Sequence, residues 1–142
     1  MKKKIVWMGI AVAIVITLIF FLYPRNLKHI FTKNAENMEI SLHETFSGQS
    51  AKTLSAEEEE TLLSAMASTK VRRKIFPKKV FHSLSVYSVM VFIPENNGEG
   101  RWITAEYYPY EEILSFGKGK GQYVFYHDDF TEVLLSLMNT EQ

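Results

Sequence analysis

The chain has 142 residues, equal numbers of basic and acidic side chains and no cysteine, which excludes disulfides, thiolate metal sites and lipid attachment through sulfur. The zero net charge hides a division: residues 1 to 33 hold six basic and no acidic residues, and residues 34 to 142 hold ten basic against sixteen acidic. An acidic domain of this kind is not a general nucleic-acid binder.

A basic flank, residues 1 to 4 with Lys2, Lys3 and Lys4, opens the chain. Residues 5 to 23 (IVWMGIAVAIVITLIFFLY) follow, nineteen residues without a charge. Hydrocarbon offers backbone groups no hydrogen-bond partner, so such a run is stable there as a helix that pairs them internally. At 1.5 Å per residue it spans roughly 28 Å, about one bilayer core. Twelve of the nineteen are Ile, Val, Leu or Phe. At about −0.3 to −0.6 kcal/mol each, insertion gains roughly 4 to 7 kcal/mol. Trp7 and Tyr23 stand near the two ends, where amphipathic rings favour the interface. No small-residue pair precedes Pro24, so the expectation is an uncleaved signal-anchor and a single-pass chain. Lys2, Lys3, Lys4 and the α-amino group narrowly outweigh Arg25, Lys28 and Lys33. Positive-inside counting then sets the amino terminus in the cytoplasm and the domain outside.

Residues 24 to 37 read as a juxtamembrane connector and residues 38 to 142 as one soluble α+β domain. Residues 38 to 43 (MEISLH) alternate apolar and polar, the pattern of a half-buried strand. Residues 44 to 54 are rich in Thr, Ser, Gly and Gln and read as a loop. Ser55 caps a helix and Glu58 stands at the capping-box spacing, with Glu57 to Glu60 in a first turn that favours negative charge. Leu62, Leu63 and Met66 form its apolar stripe. Val71 to Ile75 reads as a short strand. Leu84 to Ile93 (LSVYSVMVFI) is the strongest strand, and its apolar second half predicts a central strand covered on both faces. Residues 96 to 100 (NNGEG) make a hairpin loop, and Arg101 to Tyr108 returns as the partner. Glu112 to Phe116 and Gln122 to His127 add two strands, joined by Gly117-Lys118-Gly119-Lys120-Gly121. Asp129 is the expected cap of a last helix with Glu132 at the capping-box position and Phe130, Val133, Leu134, Leu137 and Met138 on its apolar face. Successive strands with short turns predict an antiparallel β-meander with two helices packed on one face.

The lysines and apolar run, the LSAEEEE helix start, the meander carrying YYPY and the final helix together form a layout. It resembles small uncharacterised single-pass or lipoprotein-type domains of Bacillus-like Gram-positive bacteria. The resemblance implies a cell-envelope location and no particular reaction.

Four groups of residues carry chemistry. His43-Glu44, His82 and His127-Asp128-Asp129 offer nitrogen and oxygen donors for a divalent metal, and His127 with Asp128 offers a base and its orienting acid. Their spacing matches no metal motif, and an aspartate before a helix has a capping task, so neither catalytic nor metal residues are assigned. Ser83, Ser85, Ser88 and Ser115 lie in neither G-x-S-x-G nor S-x-x-K. The run from Lys70 to Lys79 holds six cations, Lys70, Arg72, Arg73, Lys74, Lys78 and Lys79, on a domain otherwise acidic. It suits anionic lipid or an anionic wall polymer, unless Glu57 to Glu60 neutralise it. Trp102, Tyr107, Tyr108, Tyr110, Tyr123, Phe125 and Tyr126 suit a sugar or protein face, or equally a sheet core. Tyr107 and Tyr108 are strand neighbours, which predicts one in the core and one exposed. The Gly-Lys stretch lacks phosphate-loop spacing and reads as a hairpin loop.

The expectation is a non-enzymatic, cofactor-free, membrane-anchored domain that binds an anionic surface or a protein partner and not nucleic acid. The rivals are a His/Asp-based metal or acid/base enzyme and a cytoplasmic-facing adaptor that contacts anionic lipid.

Overall fold

Alternating apolar residues build the sheet. A computed structural model describes residues 2–33, 35–45, 47–80, 85–95, 98–117 and 121–139. Its elements run α1 (Lys2–Leu22), β1 (Arg25–Asn26), α2 (Leu27–Thr32), β2 (Glu39–Thr45), β3 (Lys52–Thr53), α3 (Ala56–Ser68), β4 (Lys70–Arg73), β5 (Val86–Pro94), β6 (Gly100–Tyr108), β7 (Ile113–Phe116), β8 (Gly121–His127) and α4 (Phe130–Asn139). The eight strands form one antiparallel sheet in the order β1-β4-β8-β7-β6-β5-β2-β3. The fold is α+β, with β5 to β8 as the meander. On its outer side β2 pairs with β5 from Glu39↔Phe92 to Thr45↔Val86.

Residues directly opposite one another share a face, so the register defines the core. Ile40, Val91 and Ile103 form one cross-strand row, and Leu42, Val89, Ala105 and Phe116 the next. Helices α2, α3 and α4 close over these rows. Leu27, Phe31, Leu62, Met66, Phe130 and Leu134 are all fully buried there. Each such side chain contributes about 1.5–3 kcal/mol of burial. Phe31 meets Phe116 at a ring separation of 4.8 Å, and Phe130 stacks on Phe125 at 6.3 Å.

The capping box of α3 forms as its spacing requires. Ser55 Oγ accepts from Glu58 N at 3.4 Å, and Glu58 Oε2 accepts from Ser55 N at 2.9 Å. That backbone bond, with a second contribution from Lys52, holds the Glu58 carboxyl below its ordinary range.

Five expectations need correction. Residues 24 to 37 are not only a connector: Arg25–Asn26 pairs with β4, and Leu27 and Phe31 of α2 enter the core. Six residues are too few for a helical period to show. The loop expected over 44 to 54 is shorter, because β2 continues to Thr45 and Lys52–Thr53 pairs with Ser41–Leu42. Strand β5 is interior to the sheet but carries helices on one face only. On the other, Met90 and Phe92 are half-buried, and the Phe92 ring lies 4.9 Å from that of Trp102, which is 57% exposed. The apolar second face thus reflects an aromatic pair. Asp128, not Asp129, caps α4: its Oδ1 accepts from Phe130 N at 3.0 Å and Thr131 N at 2.9 Å. Tyr107 and Tyr108 do point to opposite faces, yet both are buried, at 4% and 2% exposure. Tyr108 donates its hydroxyl to Glu106, and burial, then that bond, raises its phenol above the usual range.

Helix α1 stands apart from this core. From Lys3 to Leu22 none of it is buried and its mean hydropathy is 2.9, so it is long and apolar enough to cross a membrane, as an anchor or a signal sequence. Only its last turns meet the domain.

Candidate functional site

Strand β4 begins one residue after α3, and Thr69 between them is a junction. Thr69 is fully buried, donates its hydroxyl to Ala65 O at 2.8 Å and accepts from Asp129 N at 3.1 Å. Its carbonyl accepts from Leu27 N at 3.1 Å. Three helices are thereby tied to the start of β4.

From there β4 runs antiparallel to β1, with Asn26 opposite Lys70 and Arg25 opposite Val71. Because β1 leaves α1 through Tyr23-Pro24, β4 runs back toward the end of α1. Its far end reaches that helix: the Arg73 guanidinium carbon lies 5.5 Å from the Phe21 ring centre. On the neighbouring strand Arg25 lies 4.3 Å over the Phe20 ring. Two guanidinium groups therefore flank the last apolar turn, in cation–π contact with it.

The six cations divide along the strand and the segment after it. Lys70 is exposed at the near end. Arg72 lies on the face opposite the helices, 5.2 Å over the Tyr126 ring. Arg73 lies on the helix-bearing side against Gly121, where an added Cβ would stand 2.8 Å from Arg73 Nε. Gly121 has φ +96, the left-handed region that favours glycine, whereas the Arg73 side chain could give way to a Cβ. Lys74 N extends the ladder to Gln122 O at 2.8 Å. Lys78 and Lys79 are exposed.

The segment after β4 is tied down by one side chain. Gln122, 9% exposed, accepts from Lys78 N through Oε1 at 2.7 Å and donates from Nε2 to Lys78 O at 2.7 Å. Held at Lys74 and again at Lys78, the segment presents Ile75 and Phe76 to the outside, at 41% and 83% exposure.

Two carboxylates of the acidic turn of α3 are engaged elsewhere. Glu58 pairs with Lys52 at 3.0 Å, Glu59 Oε1 accepts from Ile40 N at 2.8 Å, and Glu57 and Glu60 line a groove toward Asp129 and Val133 of the α4 region.

The remaining candidates do not converge. His43, Ser88, Glu106, Ser115 and Gln122 form one cross-strand row on the face opposite the helices. In that row the serine stands between His43 and Glu106, whereas a nucleophile relay needs the histidine in the middle. His127 lies four strands from His43 in the sheet order and at the end of β8. Its Nε2 meets Asp129 Oδ2 at 3.3 Å with both side chains substantially exposed, and Asp128 is occupied as a cap. Among the described residues no three His, Asp or Glu side chains group to hold a metal ion. Ser85 is exposed before β5, and His82, Ser83, Lys118, Gly119 and Lys120 lie outside the described residues.

The aromatic group is likewise dispersed. Tyr107, Tyr123 and Phe125 pack toward the helices, Tyr110 is exposed on a turn, and Trp102 and Tyr126 stand at opposite ends of the sheet. Two contributors to the basic site escaped the sequence reading. Arg25 entered only as a topology signal, and Gln122 carried no local sign, because its partner is 44 residues away. The Ile75-Phe76-Pro77 break between the cations was the signal for the apolar tip.

No protein-family model, curated protein or solved structure matches the chain.

Proposed function

We propose that the chain is a membrane-tethered binding domain. In this reading α1 stays attached as an uncleaved single-pass anchor, and the domain lies on the outer side of a Gram-positive-type cell envelope. Lys70, Arg72, Arg73, Lys74, Lys78 and Lys79 bind a phosphate-bearing anionic surface, lipid headgroups or wall polymer, and catalyse nothing. The supporting observation is that the six cations occupy one strand and the segment after it, with Arg73 against the last turn of α1. Arginines present planar forks to phosphate and lysines point charges, and both gain from the counterions they release.

The test uses the full chain in nanodiscs of zwitterionic lipid, offered teichoic acid as the soluble polymer, and in nanodiscs with anionic lipid. Polymer binding that weakens steeply from low to physiological salt, and is lost when Arg72, Arg73 and Lys74 are replaced by Gln, supports the wall-polymer arm. Salt-dependent ordering of the domain only on anionic discs supports the lipid arm. Neither response at low salt overturns the reading. Protease added to intact protoplasts tests the side: digestion of the domain supports an external location, and full protection supports the cytoplasmic adaptor.

A further inference from the structure

The segment from Lys74 to Lys79 has a feature that anion binding alone does not explain. Between its cations it exposes Ile75 and Phe76, the latter at 83%. A single exposed aromatic is ordinary on a protein surface. This one is placed by the register of β4 against β1. Arg25 pairs with Val71 and Asn26 with Lys70, so β4 runs from Lys70 back toward the end of α1. The 5.5 Å contact of Arg73 with the Phe21 ring agrees with that placement. Lys74 continues the ladder by one more bond, to Gln122 O, and the chain then turns out through Ile75, Phe76 and Pro77. The tip therefore lies beyond Arg73 in the direction of the apolar helix.

The membrane level follows from α1. The charge-free part of α1, Ile5 to Leu22, is 18 residues. At 1.5 Å per residue that is about 27 Å, close to the thickness of the hydrocarbon core. Phe20 and Phe21 then sit at its edge, and Arg25 and Arg73 at the level of the headgroups. A tip beyond Arg73 reaches the boundary between headgroups and acyl chains.

We propose that Ile75 and Phe76 insert into the leaflet at which α1 ends, while Arg25, Arg73, Lys74 and Lys78 contact its anionic headgroups. This rests on the anchor reading above and names the lipid of the chain's own membrane as the partner of the basic run. Apolar side chains ringed by cations are the composition of interfacial membrane contacts. The consequence is mechanical. A domain joined to a membrane by one helix swivels on its linker, whereas a second contact beside the helix fixes its orientation. The double hydrogen bond from Gln122 to Lys78 holds the tip ready.

The native chain has no cysteine, so one introduced thiol is labelled cleanly. Full-length Pro77→Cys, Gln49→Cys and Ile14→Cys are each labelled with an environment-sensitive fluorophore. They are reconstituted in phosphatidylcholine–phosphatidylglycerol vesicles carrying doxyl-lipids at shallow or deep positions. The expected result is deep quenching at 14, shallow quenching at 77 and none at 49. Adding Phe76→Asp to Pro77→Cys should abolish the shallow quenching while leaving far-ultraviolet circular dichroism unchanged. Quenching at 14 without quenching at 77 overturns the insertion and leaves the anchor standing. Absence of quenching at 14 overturns both. Quenching at 77 that survives Phe76→Asp also overturns the insertion, because it would then be the label that inserts.

Discussion

Gln122 and Lys78 exchange two hydrogen bonds of 2.7 Å, one in each direction, between a side-chain amide and a backbone peptide. Only a primary amide can both donate and accept in this way. Gln122→Glu keeps the size, loses the donor and sets a carboxylate against the Lys78 carbonyl. With Gln122 buried, the expected loss is about 1–3 kcal/mol. Trypsin cleavage at Lys78 and Lys79 should accelerate before global unfolding does. Unchanged cleavage with an unchanged melting temperature would mean the pair does not hold the segment.

Thr69 is the second tie. Its hydroxyl bridges Ala65 O and Asp129 N with no exposed surface. Thr69→Val keeps the shape and removes the partner of the part-buried Asp129 amide, for an expected cost of about 0.5–1.5 kcal/mol. Denaturant titration should show a lower midpoint with an unchanged slope. Thr69→Ser restores the hydroxyl and should recover most of the difference.

Adjacent aspartates before α4 should behave differently. Asp128 accepts from the backbone of Phe130 and Thr131, whereas the Asp129 carboxylate meets only the exposed His127 in the pairs described. Asp128→Ala should cost about 0.5–2 kcal/mol, the usual loss of a helix cap. Asp129→Ala should stay within about 0.5 kcal/mol of the parent, since exposed pairs contribute little. Equal losses in thermal unfolding would refute the assignment of the cap to Asp128.

Acid sensitivity should trace in part to Glu58. Its carboxyl is depressed in the folded chain by the Ser55 amide and Lys52, against an ordinary value of 4.5. A carboxyl depressed by folding adds stability above its unfolded value, and that contribution is lost as pH falls through the folded value. The melting temperature should therefore decline below pH 4.5, and Glu58→Gln should decline less steeply over that window. A parallel decline in both chains would rule Glu58 out as a contributor.

The elements most legible in the sequence were those decided by neighbours along the chain. The charge-free run of α1, the Ser55–Glu58 box and the alternation of residues 38 to 43 each depend on contacts within a few residues or on one period. Local composition therefore sufficed for the helix, the meander and the α+β class. What the tertiary structure decided involved partners far apart. Helix α2 is too short to show a period, and its place in the core comes from Leu27 and Phe31 meeting α3 and the sheet. Tyr108 is buried on the face that alternation marked as outer. Asp128 rather than Asp129 caps α4, while the Asp129 amide is anchored by Thr69, 60 residues earlier. The basic run was visible as composition, but its position was not. Only the pairing of β4 with β1 sets Arg73 beside Phe21, because strand register depends on which residues the whole core can bury, and no local pattern contains that information.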